Sequence, residues 1–219
     1  MRKTFFLFIT SFIIQCTGIS QLQIGVFGGP QFSIRYYTKT IADNRFITSV
    51  NAGVTSLVAL SKKFRLHESF GYSGKGVFLH DFKFNDGGGS ATAGDMNILL
   101  HYLELRSPID YNVAISPKST LLIGAGPYFS YAVAGRQEIK NNDYFASFLN
   151  RKLDFEDEYN RFEFGITSNI GLELRQKFLF NIYTDIGLSN IFKMESSKTI
   201  SHRSFSFTLG YLFLLQKKK

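Results

Sequence analysis

Hydrophobic and polar residues alternate along most of this chain, most regularly between Arg161 and Phe192. Phe162, Phe164, Ile166, Ile170, Leu172 and Leu174 take alternate positions, with Ser168 the only break, and Glu163, Gly165, Thr167, Asn169, Gly171, Glu173 and Arg175 fall between them. After a short turn at Gln176-Lys177 the alternation resumes, with Phe178, Phe180, Ile182, Ile186 and Leu188 set against Asn181, Tyr183, Asp185, Gly187 and Ser189. A period of two puts successive side chains on opposite faces of a strand, so this stretch predicts a long antiparallel hairpin. Each arm is about twice the usual ~5–6 residues of a soluble strand and near the ~9–11 that a tilted strand needs to cross a bilayer. The charged face makes a poor soluble core, and the Phe/Ile/Leu face makes a poor soluble surface. Lipid outside and a polar lumen inside satisfy both.

The same alternation predicts six further strands. The first sets Leu22, Ile24, Val26, Phe32, Ile34 and Tyr36 against Gly25, Gln31, Ser33 and Arg35. The second sets Val50, Ala52, Val54, Val58 and Leu60 against Asn51, Gly53 and Thr55. The third, from Phe64 to about His80, turns Leu66, Phe70 and Tyr72 outward and Ser69, Gly71, Ser73 and Lys75 inward, with Glu68 an outward exception near the turn. The fourth runs from about Ile98 to Val113, and the fifth is LLIGAGPYFSYAVAGR. The last strand, SFSFTLGYLFLL, follows the hairpin. Connections alternate long and short. Long stretches lie near 37–48, 81–97, 137–160 and 193–202, and short turns near 61–63, 115–119 and 175–177. Outer-membrane barrels have long external loops and short periplasmic turns, and an even strand count lets the sheet close without a free edge in lipid. The predicted fold is therefore all-β, an eight-stranded antiparallel up-and-down transmembrane β-barrel with a polar, filled lumen, occupying residues 21–219.

The N-terminus reads MRKTFFLFITSFIIQCTGIS. Arg2 and Lys3 precede an apolar segment from Thr4 to Ile14, and small residues Gly18 and Ser20 stand at −3 and −1 of a cut before Gln21. This predicts a signal peptide over residues 1–20 and export to the cell outer membrane of a Gram-negative cell. Gln15 stands where a lipobox has Gly, Ala or Ser, so Cys16 is expected to leave with the leader, removing any disulfide, thiol nucleophile or thiolate site. The formal net charge is +8, but the cations are scattered over turns and loops with no basic helix, which argues against nucleic acid as a partner.

Candidate chemistry is confined to the inward face. Its ionisable set is Lys75, Glu104, Arg106, Glu163, Glu173, Arg175 and Asp185. An eight-stranded barrel is just wide enough for side chains to fill, so these charges are expected to pair as a lumen network rather than form an ion path or a catalytic carboxylate pair. His67, His80, His101 and His202 do not fix a Ser–His–carboxylate arrangement, although Ser201 and Ser204 lie near His202. Gly87-Gly88-Gly89-Ser90 lacks the Lys-Ser/Thr of a phosphate loop, and the acidic run Asp154 to Glu158 lacks EF-hand spacing. No catalytic residue, cofactor or metal site is expected.

Several short segments carry a resemblance: Gly71-Tyr72-Ser73-Gly74-Lys75-Gly76, Tyr102-Leu103-Glu104-Leu105, Gly124-Ala125-Gly126-Pro127-Tyr128, Phe164-Gly165 through Gly171-Leu172-Glu173, Gly187-Leu188-Ser189-Asn190-Ile191 and Leu209-Gly210-Tyr211. Together they resemble the PorT-like outer-membrane β-barrel family of Bacteroidetes, the outer membrane protein beta-barrel domain group. Two departures stand out, Arg106-Ser107-Pro108 where relatives tend to have Pro-Leu-Leu, and the Lys217-Lys219 tail. The resemblance implies an eight-stranded barrel, and for some relatives a place in the type IX secretion and gliding apparatus. The expected role is structural or interactive, not enzymatic, with outer-membrane lipid and a protein partner at the loops or periplasmic rim. An accessory role in such a machine is the alternative, and a narrow porin or lipid-modifying barrel enzyme is the third.

Overall fold

The computed structural model describes residues 22–36, 43–85, 90–140, 150–193 and 200–214. The expected signal peptide with Cys16, the Gly87–Gly89 run and the Lys217–Lys219 tail lie outside these residues. The strands are β1 (Leu22–Tyr36), β2 (Asp43–Arg45), β3 (Ile47–Ala59), β4 (Phe64–Asn85), β5 (Ser90–Arg106), β6 (Ile109–Ser116), β7 (Ser119–Lys140), β8 (Arg151–Lys152), β9 (Phe162–Leu174), β10 (Phe178–Gly187) and β11 (Ser201–Leu214).

Eight of them close a ring. Its order is β4-β3-β1-β11-β10-β9-β7-β5, with β5 pairing back to β4, and every ladder is antiparallel. Closure satisfies the backbone within the sheet, as lipid requires. β6 continues the line of β5 between β4 and β7 after a break at Ser107-Pro108, so the single strand expected over 98–113 is two pieces. Proline lacks the N–H a ladder needs. Gly126 faces the break, where a Cβ would lie 2.3 Å from the Ser107 carbonyl oxygen and 2.6 Å from Pro108 Cα.

The exterior carries the apolar set. Phe164, Ile166, Ile170, Phe180 and Ile182 are all exposed, while the residues between them on β9 and β10 are buried. Aromatic pairs sit at both ends of this band. Phe64 and Tyr111, and Phe178 and Tyr211, meet near the short turns, and Tyr131 and Phe162 meet at the far end. Such girdles mark the two membrane–water interfaces of a barrel. Glu68 is outward and half-buried.

The strands do not all end at the same height. β4 and β7 are each 22 residues long and β10 is 10. Since the short turns lie together at one end, the excess stands outside the membrane. The stretch 81–97, expected to be a loop, is mostly paired strand: β4 and β5 stay paired out to Asn85↔Ser90, with register shifts on either side of Phe82. Glycine-rich composition reads as loop, but continued pairing wins because the inward side chains Leu79 and Met96 bury themselves in the mouth of the barrel. The outward set there changes from Phe and Leu to His80, Asp95, Asn97, Arg136 and Glu138, the composition of a face in water. A bulge where His101-Tyr102 meets Ala134 and Ala132 shifts the phase of β7 and turns Gly135, Gln137 and Ile139 inward.

The β3–β4 ladder stops at Asn51↔Ser73. Above it side chains replace strand pairing: Gln31 Nε2 and Ser49 Oγ donate to the Gly74 carbonyl at 3.1 and 2.6 Å, and the Gly76 N–H donates to Ser33 Oγ at 2.8 Å. Pairing resumes where β2 meets Phe78–His80.

Candidate functional site: the closed lumen

Alternation alone decides which side chains enter the lumen. Of the seven residues expected there, Lys75, Glu104, Arg106, Glu163, Glu173 and Asp185 are each 0–3% exposed. Arg175 is not among them. The β9–β10 turn begins one residue earlier than its pattern implies: Arg175 and Gln176 are its central residues, with φ of 53° and 56°, and the Lys177 N–H donates to the Leu174 carbonyl at 3.0 Å. The Arg175 side chain is exposed at the rim. Two non-glycine residues in the left-handed region cost roughly 1–2 kcal/mol each, and nothing in the sequence advertises them.

The lumen is filled in tiers. Near the short turns Leu57, Leu122, Leu179 and Leu212 form a buried apolar layer, one from each of β3, β7, β10 and β11. Glu173 pairs there with Arg65 and accepts from Gln23 Nε2 at 3.1 Å. Above it, His67 Nδ1 lies 2.9 Å from Asp110 Oδ2, and Nε2 lies 3.1 Å from the Thr55 hydroxyl and 3.0 Å from that of Tyr183.

The middle tier is ionic. Arg106 donates from Nε and Nη2 to the two oxygens of Asp185 at 3.1 and 2.8 Å, and its Nη2 reaches Glu104 Oε1 at 2.6 Å. Glu104 Oε2 takes Lys75 Nζ at 2.5 Å and the Ser130 hydroxyl at 2.7 Å. Lys75 also lies 4.2 Å from the Tyr128 ring centroid, and the Tyr128 hydroxyl donates to Glu163 Oε1 at 2.9 Å. Glu163 Oε2 meets His202 Nδ1 at 2.9 Å, and Ser204 donates to Asp185 at 2.8 Å. Buried ionic groups of this kind hold only when paired and hydrogen-bonded. Inward glycines make the room: a Cβ at Gly187 would lie 2.7 Å from Glu163 Oε1, and one at Gly124 would lie 2.0 Å from Asp110 Oδ1.

The external mouth is apolar again. Val77, Ile98, Leu100 and Ile139 line it, and Leu153, Phe155 and Tyr159 fold over it from the segment after β8. Arg35, itself buried, lies 5.5 Å from the Tyr159 ring centroid and 5.2 Å from that of Phe192. The acidic run shapes this cover. Asp154 Oδ1 accepts the N–H groups of Glu156 and Asp157 at 2.6 and 3.3 Å, which holds its pKa below the ordinary carboxylate value, and Glu158 pairs with Arg151 at 2.8 Å. Among the described residues no group of three metal-ligating side chains forms.

Arg35, set by alternation on the polar face of the first strand, joins the lumen, and Arg65, His67, Asp110 and His202 join it without having been in the expected set. Each lies in phase with inward neighbours, so parity could have found them; their partners lie on other strands and could not be read. His101 instead turns outward to Tyr72, with 2.7 Å between Nδ1 and the hydroxyl, and His80 meets Asp95 at 2.7 Å.

No curated protein sequence matches the chain. Among solved structures, it is similar to the outer membrane protein OprG of Pseudomonas aeruginosa, at 11% identity and a TM-score of 0.46, covering 89% of this chain and 97% of that one. Neisserial surface protein A is similar at 7% identity and a TM-score of 0.45, covering 87% and 97%. Ail, the attachment invasion locus protein of Yersinia pestis, is similar at 8% identity and a TM-score of 0.43, covering 87% and 98%. The family model described as outer membrane protein beta-barrel domain matches residues 15–193, which include every ring strand except β11. With the closed eight-strand ring and its apolar exterior, that match places the protein in the outer membrane: the chain belongs to the outer membrane protein beta-barrel domain family.

Proposed function

We propose that this protein is a non-conducting outer-membrane barrel that acts through its two ends, as a structural or interaction component rather than an enzyme or a pore. The observation that carries the reading is the three-tier closure of the lumen. The leucine layer, the ionic tier and the aromatic cover leave Lys75, Arg106, Glu104, Glu163 and Asp185 no more than 3% exposed. A conducting path needs sites an ion can enter and leave. Purified protein in planar bilayers is expected to give no steady openings; reproducible ion-selective conductance would sink the reading. A non-enzymatic role is supported by the histidines, since His67 and His202 are buried and engaged with Asp110 and Glu163, and Ser204 bonds Asp185.

A more specific role, as an accessory component of a type IX secretion or gliding machine, draws support from the PorT-like segments of the sequence and from the sheet that β4, β5 and β7 raise above the membrane. Crosslinking and affinity purification from native outer membranes tests it. Stoichiometric recovery of secretion or motility components supports the role, and recovery of the barrel alone rejects it.

A further inference from the structure

A cavity lies at the short-turn end, outside the lumen. It measures about 720 Å³ and is lined by Pro117, Lys118, Arg175, Gln176, Lys177, Phe178 and Tyr211. It runs between the turn that joins β6 to β7 and the turn that joins β9 to β10. One backbone bond joins the two turns, the Arg175 N–H donating to the Lys118 carbonyl at 2.6 Å, and another ties the second turn to β11, the Leu212 N–H donating to the Lys177 carbonyl at 2.6 Å. Lys118, Arg175 and Lys177 are exposed, and none of the three makes an ion pair among the described residues.

Three further observations converge on this groove. No acidic residue occurs in any of the short turns, 60–63, 116–119 and 175–177, whereas the external segments mix both signs. The wall below the cations is aromatic: Phe178 and Tyr211 pack edge to face at 5.6 Å on the lipid-facing surface, at the interfacial end of the apolar band. Finally, Arg175 and Gln176 hold left-handed backbone, which Asn-Gly fills without strain in a hairpin turn; here a cation occupies a position its backbone disfavours.

We propose that this groove binds the phosphate of an anionic glycerophospholipid in the periplasmic leaflet. The acyl chains lie against Phe178 and Tyr211, and the phosphodiester oxygens accept from Lys118, Arg175 and Lys177. The geometry also discriminates. A zwitterionic lipid offers the same phosphate but brings an ammonium group, which three cations with no carboxylate in their own turns repel. Basic residues at a membrane surface are attracted to anionic lipid over about a Debye length, so the preference falls with salt.

The test is native mass spectrometry of the full chain released from mixed phosphatidylglycerol and phosphatidylcholine nanodiscs. The wild type is expected to retain phosphatidylglycerol over phosphatidylcholine by about tenfold. Lys118→Gln/Arg175→Gln/Lys177→Gln should bring the ratio to within about twofold, while Lys118→Arg/Arg175→Lys/Lys177→Arg preserves it. Far-UV circular dichroism of each variant reports folding, and the charge-preserving variant controls for turn geometry. Lys62→Gln/Lys63→Gln, on the β3–β4 turn, should leave the ratio unchanged. A wild type with no preference overturns the proposal, as does a preference that survives the triple Gln variant. Equal loss in the Lys62/Lys63 variant also overturns it, because the effect would then belong to the whole rim. An acidic polypeptide captured by the rim without lipid preference likewise counts against it.

Discussion

Arg106→Met is the sharpest perturbation of the lumen, since it deletes the guanidinium and keeps an apolar stem. Arg106 serves two carboxylates, Asp185 by a two-point contact and Glu104 at 2.6 Å, and it lies 4.9 Å from the Tyr183 ring centroid. Removing one partner of a buried pair costs about 3–5 kcal/mol, because the charge left behind is unpaired. The two carboxylates are not stranded equally. Glu104 keeps Lys75 at 2.5 Å and Ser130 at 2.7 Å, whereas Asp185 keeps the Ser204 hydroxyl at 2.8 Å and only the more distant charge of Lys75. The penalty therefore falls mainly on Asp185, and the expected loss is one such cost, roughly 3–5 kcal/mol, rather than two. That is a large share of a typical stability of about 5–15 kcal/mol. The double variant Arg106→Met/Asp185→Leu removes the stranded charge. It should lose only about 1–2 kcal/mol, the Ser204 acceptor and imperfect packing being what remains. Guanidinium unfolding in lipid vesicles, followed by far-UV circular dichroism because the chain has no Trp, gives both numbers. A single variant within about 1 kcal/mol of wild type, or a double variant costing the sum of the singles, would refute the paired-ion account of the lumen.

Two other expectations concern the wall and the cover. Gly126→Val should cost about 1–3 kcal/mol in the same unfolding assay, because its Cβ would strike the backbone of Ser107 and Pro108, whereas Gly28→Ala, whose nearest neighbour would be 3.7 Å away, should be neutral or slightly stabilising; equal effects would remove Gly126 from its role at the strand break. Asp154 should titrate below the ~3.9 of an unfolded Asp, since two backbone N–H groups favour its carboxylate. A depressed folded value means that its support for the cover is present above about pH 4 and is lost as pH falls through the folded value. A carboxyl-carbon NMR titration with a midpoint at or above 3.9 would contradict this.

The strands and their inward faces were legible because a period of two needs no knowledge of the partner strand. Ring order and closure followed from counting strands and comparing connection lengths. What escaped the sequence depends on partners or on backbone geometry. Arg175 looked inward by parity, and only the left-handed turn at Arg175-Gln176 puts it on the rim. The pairing of Arg65 with Glu173, or of Arg106 with Asp185, joins strands three steps apart around the ring, and alternation says which way a side chain points but not what stands opposite. Gly94, with φ of 93°, and the bulged hairpin around it read as loop by composition, although tertiary pairing carries the strands through. Pro108 was visible as a residue, but its consequence needed the space opposite Gly126.

The unequal strand lengths constrain how the external end can be recognised. The raised part of β4, β5 and β7 is an open sheet, and open edges invite main-chain pairing by another strand. Both edges are partly covered. β2 pairs with Phe78–His80 of β4, and β8 pairs with Arg136–Gln137 of β7, where the Leu153 N–H also donates to the Gly135 carbonyl at 2.9 Å and the Ile139 N–H to Asn150 Oδ1 at 2.5 Å. The inner face is equally committed, filled by Leu79, Met96 and Ile139 under Leu153, Phe155 and Tyr159. What remains free over this stretch is the outward face, where His80 and Asp95 bond each other and Arg136 pairs with Glu138 in reach of water. Recognition there must proceed through side chains of both signs, several already bonded to one another. The opposite rim offers Lys118, Arg175 and Lys177 with no carboxylate in the turns beside them. The two ends of one closed barrel therefore differ in kind: a sheet face of mixed sign in water, and a basic edge against the periplasmic leaflet.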